Sequence, residues 1–309
     1  MSRSASREEV HDFVCDIARS AGELQLSRYE RPGEISEKKP KDLVTEVDYL
    51  CEELLISRIQ ESYPEDAILS EERGGEIAAN GRSWVLDPVD GTANFSRANP
   101  LFCVCVSVIE DGEVTHAAVA APRVGDLYHA VLGGGAYRET EGSKSEKMSV
   151  SETAELEYAF TGADLSFTGL ESGTADSDPR KRGLREVFAT SWQLRALGSA
   201  GIRGAWAAAG YLDLSIGTRN TLWDYATTAL LVSEAGGRCT DLSGKPWHLA
   251  SDALIATNEA EKAANINVLE FRAIGAFGRI YLGGDEANIE EAAKAALYAL
   301  SQIDGRENN

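Results

Sequence analysis

The chain has 309 residues, of which 43% are hydrophobic and 26% charged. That is enough for one large domain or two, and too apolar for wholesale disorder. Thirty Lys and Arg against fifty Asp and Glu give a net charge of −20, which argues against nucleic acid and anionic membranes as partners. An anionic substrate would need metal ions or a local basic pocket. Five cysteines form no CxxC pair and four histidines no HExxH spacing, so a disulfide framework or zinc site is not expected. His129 and His248 have no evident partner. Met1 to Asp12 lacks an apolar h-region, and the longest uncharged apolar run, Asn99 to Ile109, is too short to span a bilayer. The expectation is a soluble, cytoplasmic protein.

Phe13, Val14, Ile17, Ala18, Ala21 and Leu24 recur at helical spacing and predict a helix over about 8–29. Residues 35–42, charged and holding Pro40, read as an exposed loop. Its Lys38, Lys39 and Lys41 are either solvated or a lid over an anionic site. A second helix is predicted over 48–62, with Leu50, Leu54, Leu55 and Ile59 inward. Ala67–Leu69 and Trp84–Leu86 read as buried strands delivering carboxylates at their C-terminal ends. Strands follow from Leu101 to Tyr137, with Asp111-Gly112 as a hairpin turn. Cys103 and Cys105, two apart, share one strand face. Residues 164–183 read as a surface loop, 199–209 as a helix, 211–216 as a strand, 223–235 as a helix closed by Gly236-Gly237, and 288–303 as a terminal helix. The expected organisation is an N-terminal half over 1–150, a C-terminal half over 151–265 and an extension over 266–309.

The sharpest local feature is the run Trp84 to Phe95, WVLDPVDGTANF. A strand runs into two aspartates three apart, Pro88 fixes φ between them and Gly91 permits a tight turn. If a helix starts at Gly91 or Thr92, its free N–H groups suit a phosphate. Two carboxylates beside an anion call for a hard cation, Mg²⁺ by default. An ordinary strand-end turn with solvated aspartates is the competing reading. A calcium loop fails, because position 12 counted from Asp87 is Ala98. A D-x-D-G-T nucleophile motif is disfavoured by the extra residue between the aspartates.

Further motifs occur in order along the chain: DLVTEVD at 42–48, SEE at 70–72, GSA at 198–200 and WDYATTALLVSEAGG at 223–237. Together they resemble the inositol monophosphatase family of Mg²⁺-dependent, lithium-sensitive phosphatases, over about residues 8–260. The resemblance implies a layered α/β fold, a five-layer α-β-α-β-α sandwich of the inositol monophosphatase/fructose-1,6-bisphosphatase type. It implies Glu71, Asp87 and the Val89 carbonyl as ligands of a first Mg²⁺, and Asp87, Asp90 and Asp224 as ligands of a second. Glu71 and Asp48, through water, would hold a third, weaker ion. Glu71, Thr92 and Asp48 would be catalytic, with Thr92 and Asp48 orienting the attacking water. The phosphate would lie at Asp90 and the Gly91 and Thr92 N–H groups, with Gly198, Ser199, Ala200 and Arg219 completing the substrate rim. A homodimer acting on a small phosphorylated metabolite is the implied assembly.

Two positions depart from the family pattern. Gly217 stands where members acting on inositol phosphates carry Glu, and Ala93 replaces a Thr. Arg219, two residues on, offers a cation that suits a second anionic group on the substrate. The substrate therefore stays open between inositol monophosphate and fructose 1,6-bisphosphate, NADP, 3′-phosphoadenosine 5′-phosphate or histidinol phosphate. A catalytically inactive scaffold relative is the reading from another class, and the complete set of acidic residues argues against it. Asp213 reads as structural or as an interface contact.

Overall fold

The structure is a computed structural model that describes residues 5–40, 42–140, 142–163, 187–218 and 221–258. The expected loop at 164–183, Arg219, the 266–309 extension and its terminal helix lie outside the described residues.

The chain opens with helix α1 (Arg7–Arg28), started by a reciprocal capping box between Ser6 and Glu9. Its buried stripe is Val10, Val14, Ile17, Ala18 and Ala21, with Phe13 and Leu24 packed at the margins. Residues 35–42, expected as a loop, instead form most of a hairpin of β1 (Ile35–Lys39) and β2 (Asp42–Thr45). Every residue of β1 is exposed. The hairpin needs no apolar alternation, so the pattern could not reveal it. Helix α2 (Glu46–Ser62) follows directly and lies beside α1.

Both helices cover one face of an eight-stranded sheet of order β10-β9-β8-β7-β6-β5-β3-β4. Its strands are β3 (Ala67–Ser70), β4 (Gly74–Gly75), β5 (Arg82–Asp90), β6 (Cys103–Glu110), β7 (Glu113–Ala121), β8 (Asp126–Val131), β9 (Gly135–Thr140) and β10 (Glu146–Lys147). All pair antiparallel except β3 with β5. Asp111 and Gly112, both at positive φ, make the β6–β7 turn. The central strands are buried along most of their length because both faces are covered. Val104, Val106 and Val108 pack towards α1 and α2, while Cys103 and Cys105 share the opposite face.

That opposite face carries helices α4 (Ala200–Ala208) and α5 (Leu222–Glu234), which also pack on a five-stranded sheet of order β12-β11-β13-β15-β14. Its strands are β11 (Phe160–Ala163), β12 (Gln193–Arg195), β13 (Leu214–Gly217), β14 (Arg238–Thr240) and β15 (Leu254–Thr257). A short helix, α3 (Thr92–Ser96), follows β5. The described residues thus form a layered α/β fold, helices–sheet–helices–sheet, which is four of the five expected layers. Asp213 is structural: its carboxylate accepts from Ser151 Oγ at 2.5 Å and the Phe160 amide at 2.6 Å, tying the ends of the second sheet.

Helices α4 and α5 cross at Gly204. A Cβ there would lie 1.9 Å from Thr228 Oγ1 and 2.6 Å from Thr228 Cβ, closer than any atoms can pack. Gly204→Ala should therefore lower stability by about 1–3 kcal/mol, the usual range for overpacking. A denaturant midpoint equal to that of the unaltered chain would contradict the close crossing.

Candidate active site

Register places the acidic residues. Ser70 pairs with Leu86 across the parallel β3–β5 ladder, so Glu71 follows at the level of Asp87, and its amide donates to Leu86 O at 3.2 Å. Pro88 has no N–H to give the β5–β6 ladder, and the register shifts between Asp87 and Asp90. Asp87 stands opposite Cys105 and Asp90 opposite Cys103. A three-residue spacing is thereby matched to a two-residue one, and both aspartates take the same face as the two cysteines. The Val89 amide closes the bulge by donating to Asp87 Oδ1 at 3.1 Å. Asp224, in the first turn of α5, comes in from the layer above.

Carboxylate oxygens of Asp87, Asp90 and Asp224 all lie within 4.8 Å of one another. Asp87 is 1% exposed. Burial, and then the charges of Glu71, Asp90 and Asp224, push its carboxyl well above the ordinary carboxylate range. Such a set of hard oxygen donors fits Mg²⁺ or a similar cation, which would neutralise the crowding. The thiols of Cys103 and Cys105 adjoin Asp90, but burial holds the first well above its ordinary value and the second stands at about 11. Both therefore stay protonated beside the carboxylates.

Asp90 also joins the two halves of the chain. Its carboxylate accepts from the amides of Ala200 at 3.0 Å and Gly201 at 2.8 Å and from the Ser199 hydroxyl, at the N-terminus of α4. Ser199 and Ala200 therefore meet the Asp90 carboxylate directly. Gly198 and Gly91 are both at positive φ and back to back: a Cβ on Gly91 would lie 3.1 Å from Gly198 O.

Asp48, fully buried at the third position of α2, accepts from the Thr45 amide at 2.9 Å and from Thr92 Oγ1 at 3.0 Å. Thr92 Oγ1 also lies 2.9 Å from Val89 O. Burial raises the Asp48 carboxyl to about 6 despite the Thr45 and Thr92 bonds.

A cavity of about 390 Å³ opens here, lined by Glu71, Asp90, Asp224, Gly198, Ala200, Arg203 and Tyr225 among others. Its outer wall is the β1–β2 hairpin. Lys38 is the residue skipped by the register shift between Glu37 and Lys39, and the bulge turns its side chain inward. Its Nζ lies 2.9 Å from Glu71 Oε1 and 2.8 Å from Glu72 Oε1. Burial pulls the Lys38 ammonium pKa down, but the two carboxylates outweigh it and hold the pKa above its ordinary value. Gly217 owes its lack of a side chain to Tyr225: a Cβ there would lie 2.4 Å from the ring.

Three residues around the site escaped the sequence reading. Glu52, fully buried, accepts from the amides of Glu72 at 3.2 Å and Arg73 at 3.0 Å and from Ser70 Oγ, fixing the turn that carries Glu71. Its signal was a carboxylate on the inward stripe of α2, in line with Asp48, Leu55 and Ile59. Gln25 of α1 donates to Pro88 O at 2.9 Å and Cys103 O at 3.2 Å, groups freed by the bulge. Arg203 is 3% exposed yet lines the cavity, with Ser215 Oγ at 3.2 Å from its Nε. Nothing in the sequence marked it.

Across residues 6–272 the chain matches the model of the inositol monophosphatase family, and it belongs to that family. It is 32% identical over 250 residues to a fructose-1,6-bisphosphatase/inositol-1-monophosphatase of Thermotoga maritima, covering 80% of this chain and 90% of that one. It is 35% identical over 219 residues to a histidinol-phosphatase of Mycobacterium tuberculosis, covering 70% and 80%. Among solved structures, an IMPase of Thermotoga maritima superposes with a TM-score of 0.71 at 30% identity, covering 83% of this chain and 94% of that one.

Crowding predicts that Asp87→Asn raises the melting temperature of the metal-free chain, because it removes a buried charge and keeps the Val89 contact. Added Mg²⁺ should stabilise the unaltered chain and leave the variant nearly unmoved. A variant that melts lower without metal and responds fully to Mg²⁺ would contradict this account of the cluster.

Proposed function

We propose that the chain is a Mg²⁺-dependent phosphomonoesterase of broad activity on small phosphorylated metabolites such as inositol monophosphate, with substrates carrying a second anionic group at least equal to it. The observation that carries the hydrolytic reading is the close cluster of Asp87, Asp90 and Asp224 at a cavity that Glu71, Asp90 and Asp224 line, with Thr92, bonded to Asp48, following Asp90 in the same turn. Glu71, Asp87 and the Val89 carbonyl would hold one ion and Asp87, Asp90 and Asp224 a second. Glu71 and Asp48 would share a third, weaker ion through water. Bound there, Mg²⁺ supplies charge neutralisation of the phosphate and acidifies water for in-line attack.

The protein groups do the positioning. Thr92 donates its hydroxyl hydrogen bond to Asp48 or to the Val89 carbonyl, so its oxygen is left to accept from the attacking water. Glu71 holds that water from the other side. The amides of Gly91 and Thr92 face the phosphate, a role that requires Gly91 at positive φ. A cation on Glu71 would weaken its Lys38 contact, and the ammonium, still held by Glu72, would stand at the rim for the substrate's negative charge.

The acceptance of a second anion rests on the rim. Gly217 leaves no carboxylate to accept hydrogen bonds from polyol hydroxyls, and the Tyr225 ring fills the space. Arg203 lines the same wall, and Arg219 follows in the chain. A charge-assisted contact to such a group contributes about 1.5–3 kcal/mol, one to two decades in kcat/KM. The names of the two relatives, one a fructose-1,6-bisphosphatase/inositol-1-monophosphatase and one a histidinol-phosphatase, support a phosphatase and leave the substrate open. The proposed setting is the cytoplasm and the proposed assembly a homodimer. Among the described residues no helix is long and apolar enough to cross a membrane.

Phosphate release should be measured with Mg²⁺ over inositol monophosphate, fructose 1,6-bisphosphate, NADP, 3′-phosphoadenosine 5′-phosphate and histidinol phosphate. A doubly anionic ester is expected to match or exceed inositol monophosphate, with Arg219→Ala penalising it selectively. A hundredfold preference for inositol monophosphate, untouched by Arg219→Ala, would refute the reading of the rim. No release from any ester would favour the inactive scaffold.

A further inference from the structure

Three of the chain's four histidines gather on the far side of the large sheet, where α1 packs over β8. His11 Nε2 lies 3.0 Å from His129 Nδ1, and Cys15 Sγ lies 3.7 Å from His11 Nε2. The three atoms fall within 4.8 Å of one another. His11 and Cys15 are four apart, so α1 presents them one above the other on one face. His129, at 8% exposure, faces them from β8. Its other nitrogen, Nε2, lies 3.2 Å from Glu139 Oε1, close but too poorly aligned for a well-formed hydrogen bond. Glu139 is held in turn by Arg19. The His11 Nδ1 is shielded from solvent and has no partner among the described residues.

From this arrangement we propose that His11, Cys15 and His129 form a site for one divalent transition ion of the zinc class, separate from the acidic cluster. The strand β8 is three strands from β5 in the sheet, about 14 Å away at the usual strand spacing. Two imidazole nitrogens and a sulfur select borderline metals and reject Mg²⁺. In a tetrahedral zinc site, bonds of about 2.0–2.3 Å put such ligand atoms roughly 3.3–3.6 Å apart, so the His11–His129 and His11–Cys15 spacings need shifts of only a few tenths of an ångström, and the Cys15–His129 spacing, within 4.8 Å, takes the largest closure. Glu139 behind His129 is the carboxylate that orients a ligating imidazole. Burial keeps His11 and His129 below their ordinary imidazole pKa, which leaves both rings neutral with lone pairs to give. Burial also pushes the Cys15 thiol up to about 12, so without metal it keeps its proton.

Binding is then an exchange. The ion takes the Cys15 sulfur, and the thiol proton leaves to solvent. Where His11 Nε2 holds the proton between the two rings, that proton moves to His11 Nδ1, which frees Nε2 as a ligand. One proton is released per ion, and solvent supplies the fourth ligand because His11 lies partly at the surface. The result is a clamp of the N-terminal helix to the sheet.

Co²⁺ is the probe, titrated into the full chain already saturated with Mg²⁺. One equivalent should produce a thiolate-to-cobalt charge-transfer band, bleached by equimolar Zn²⁺, with about one proton released. Oxygen ligands at the acidic cluster give no such band. Cys15→Ser and His129→Gln should each abolish the band or weaken Co²⁺ binding at least tenfold, and Glu139→Gln should weaken it about tenfold. Cys103→Ser should leave it intact. Mg²⁺-supported phosphate release by His129→Gln, which reports that this variant is folded, should be unchanged. No band in the unaltered chain, or a band that survives Cys15→Ser and vanishes in Cys103→Ser, overturns the proposal.

Discussion

Like-charge crowding at the C-terminal ends of β3 and β5 is the constraint around which the fold is arranged. Asp87 is buried among Glu71, Asp90 and Asp224, an arrangement that is unfavourable until a cation shares it. Each carboxylate is nevertheless held by backbone geometry. The bulge at Pro88 brings two aspartates onto one face, the turn after β3 carries Glu71, and the first turn of α5 carries Asp224. The surroundings oppose relaxation. Glu52 pins the Glu71 turn, Gln25 takes the carbonyls that the bulge releases, and Asp90 is bonded to three donors at the start of α4.

Asp90 carries the tightest coupling. The same carboxylate is placed to bind a cation and caps a helix that packs on both sheets. Displacing α4 would withdraw donors from a buried charge, so the position of the second half of the chain and the electrostatics of the site are tied together. Lys38 is the movable counterpart. Its ammonium already pairs with Glu71 and Glu72 from an exposed hairpin, whose first strand buries none of its residues. A cation at Glu71 would compete with the Lys38 contact for that carboxylate, while Glu72 keeps a hold on the ammonium.

Much of this was legible in the residue order, and what was not has physical reasons. Helices α1, α2, α4 and α5 follow from their apolar stripes and caps, and the buried strands from their short apolar runs. The pairing of Asp87 with Asp90 was visible as D-P-V-D, because proline between two aspartates at a strand end leaves few backbone solutions. The β1–β2 hairpin was not visible, since an exposed ribbon leaves no hydrophobic period. With it went the inward turn of Lys38, which depends on a one-residue bulge. Arg203 and Tyr225 were hidden because their meaning lies in which glycine each one faces, Gly162 and Gly217. His129 showed no partner because His11 is 118 residues away. Sequence spacing does not register ligands contributed by different elements.

The most direct test of the account is phosphate release in excess chelator, followed by restoration of Mg²⁺. A crowded carboxylate site that works only when a cation shares it predicts no turnover with chelator and full recovery with Mg²⁺. Undiminished turnover in excess chelator would contradict it.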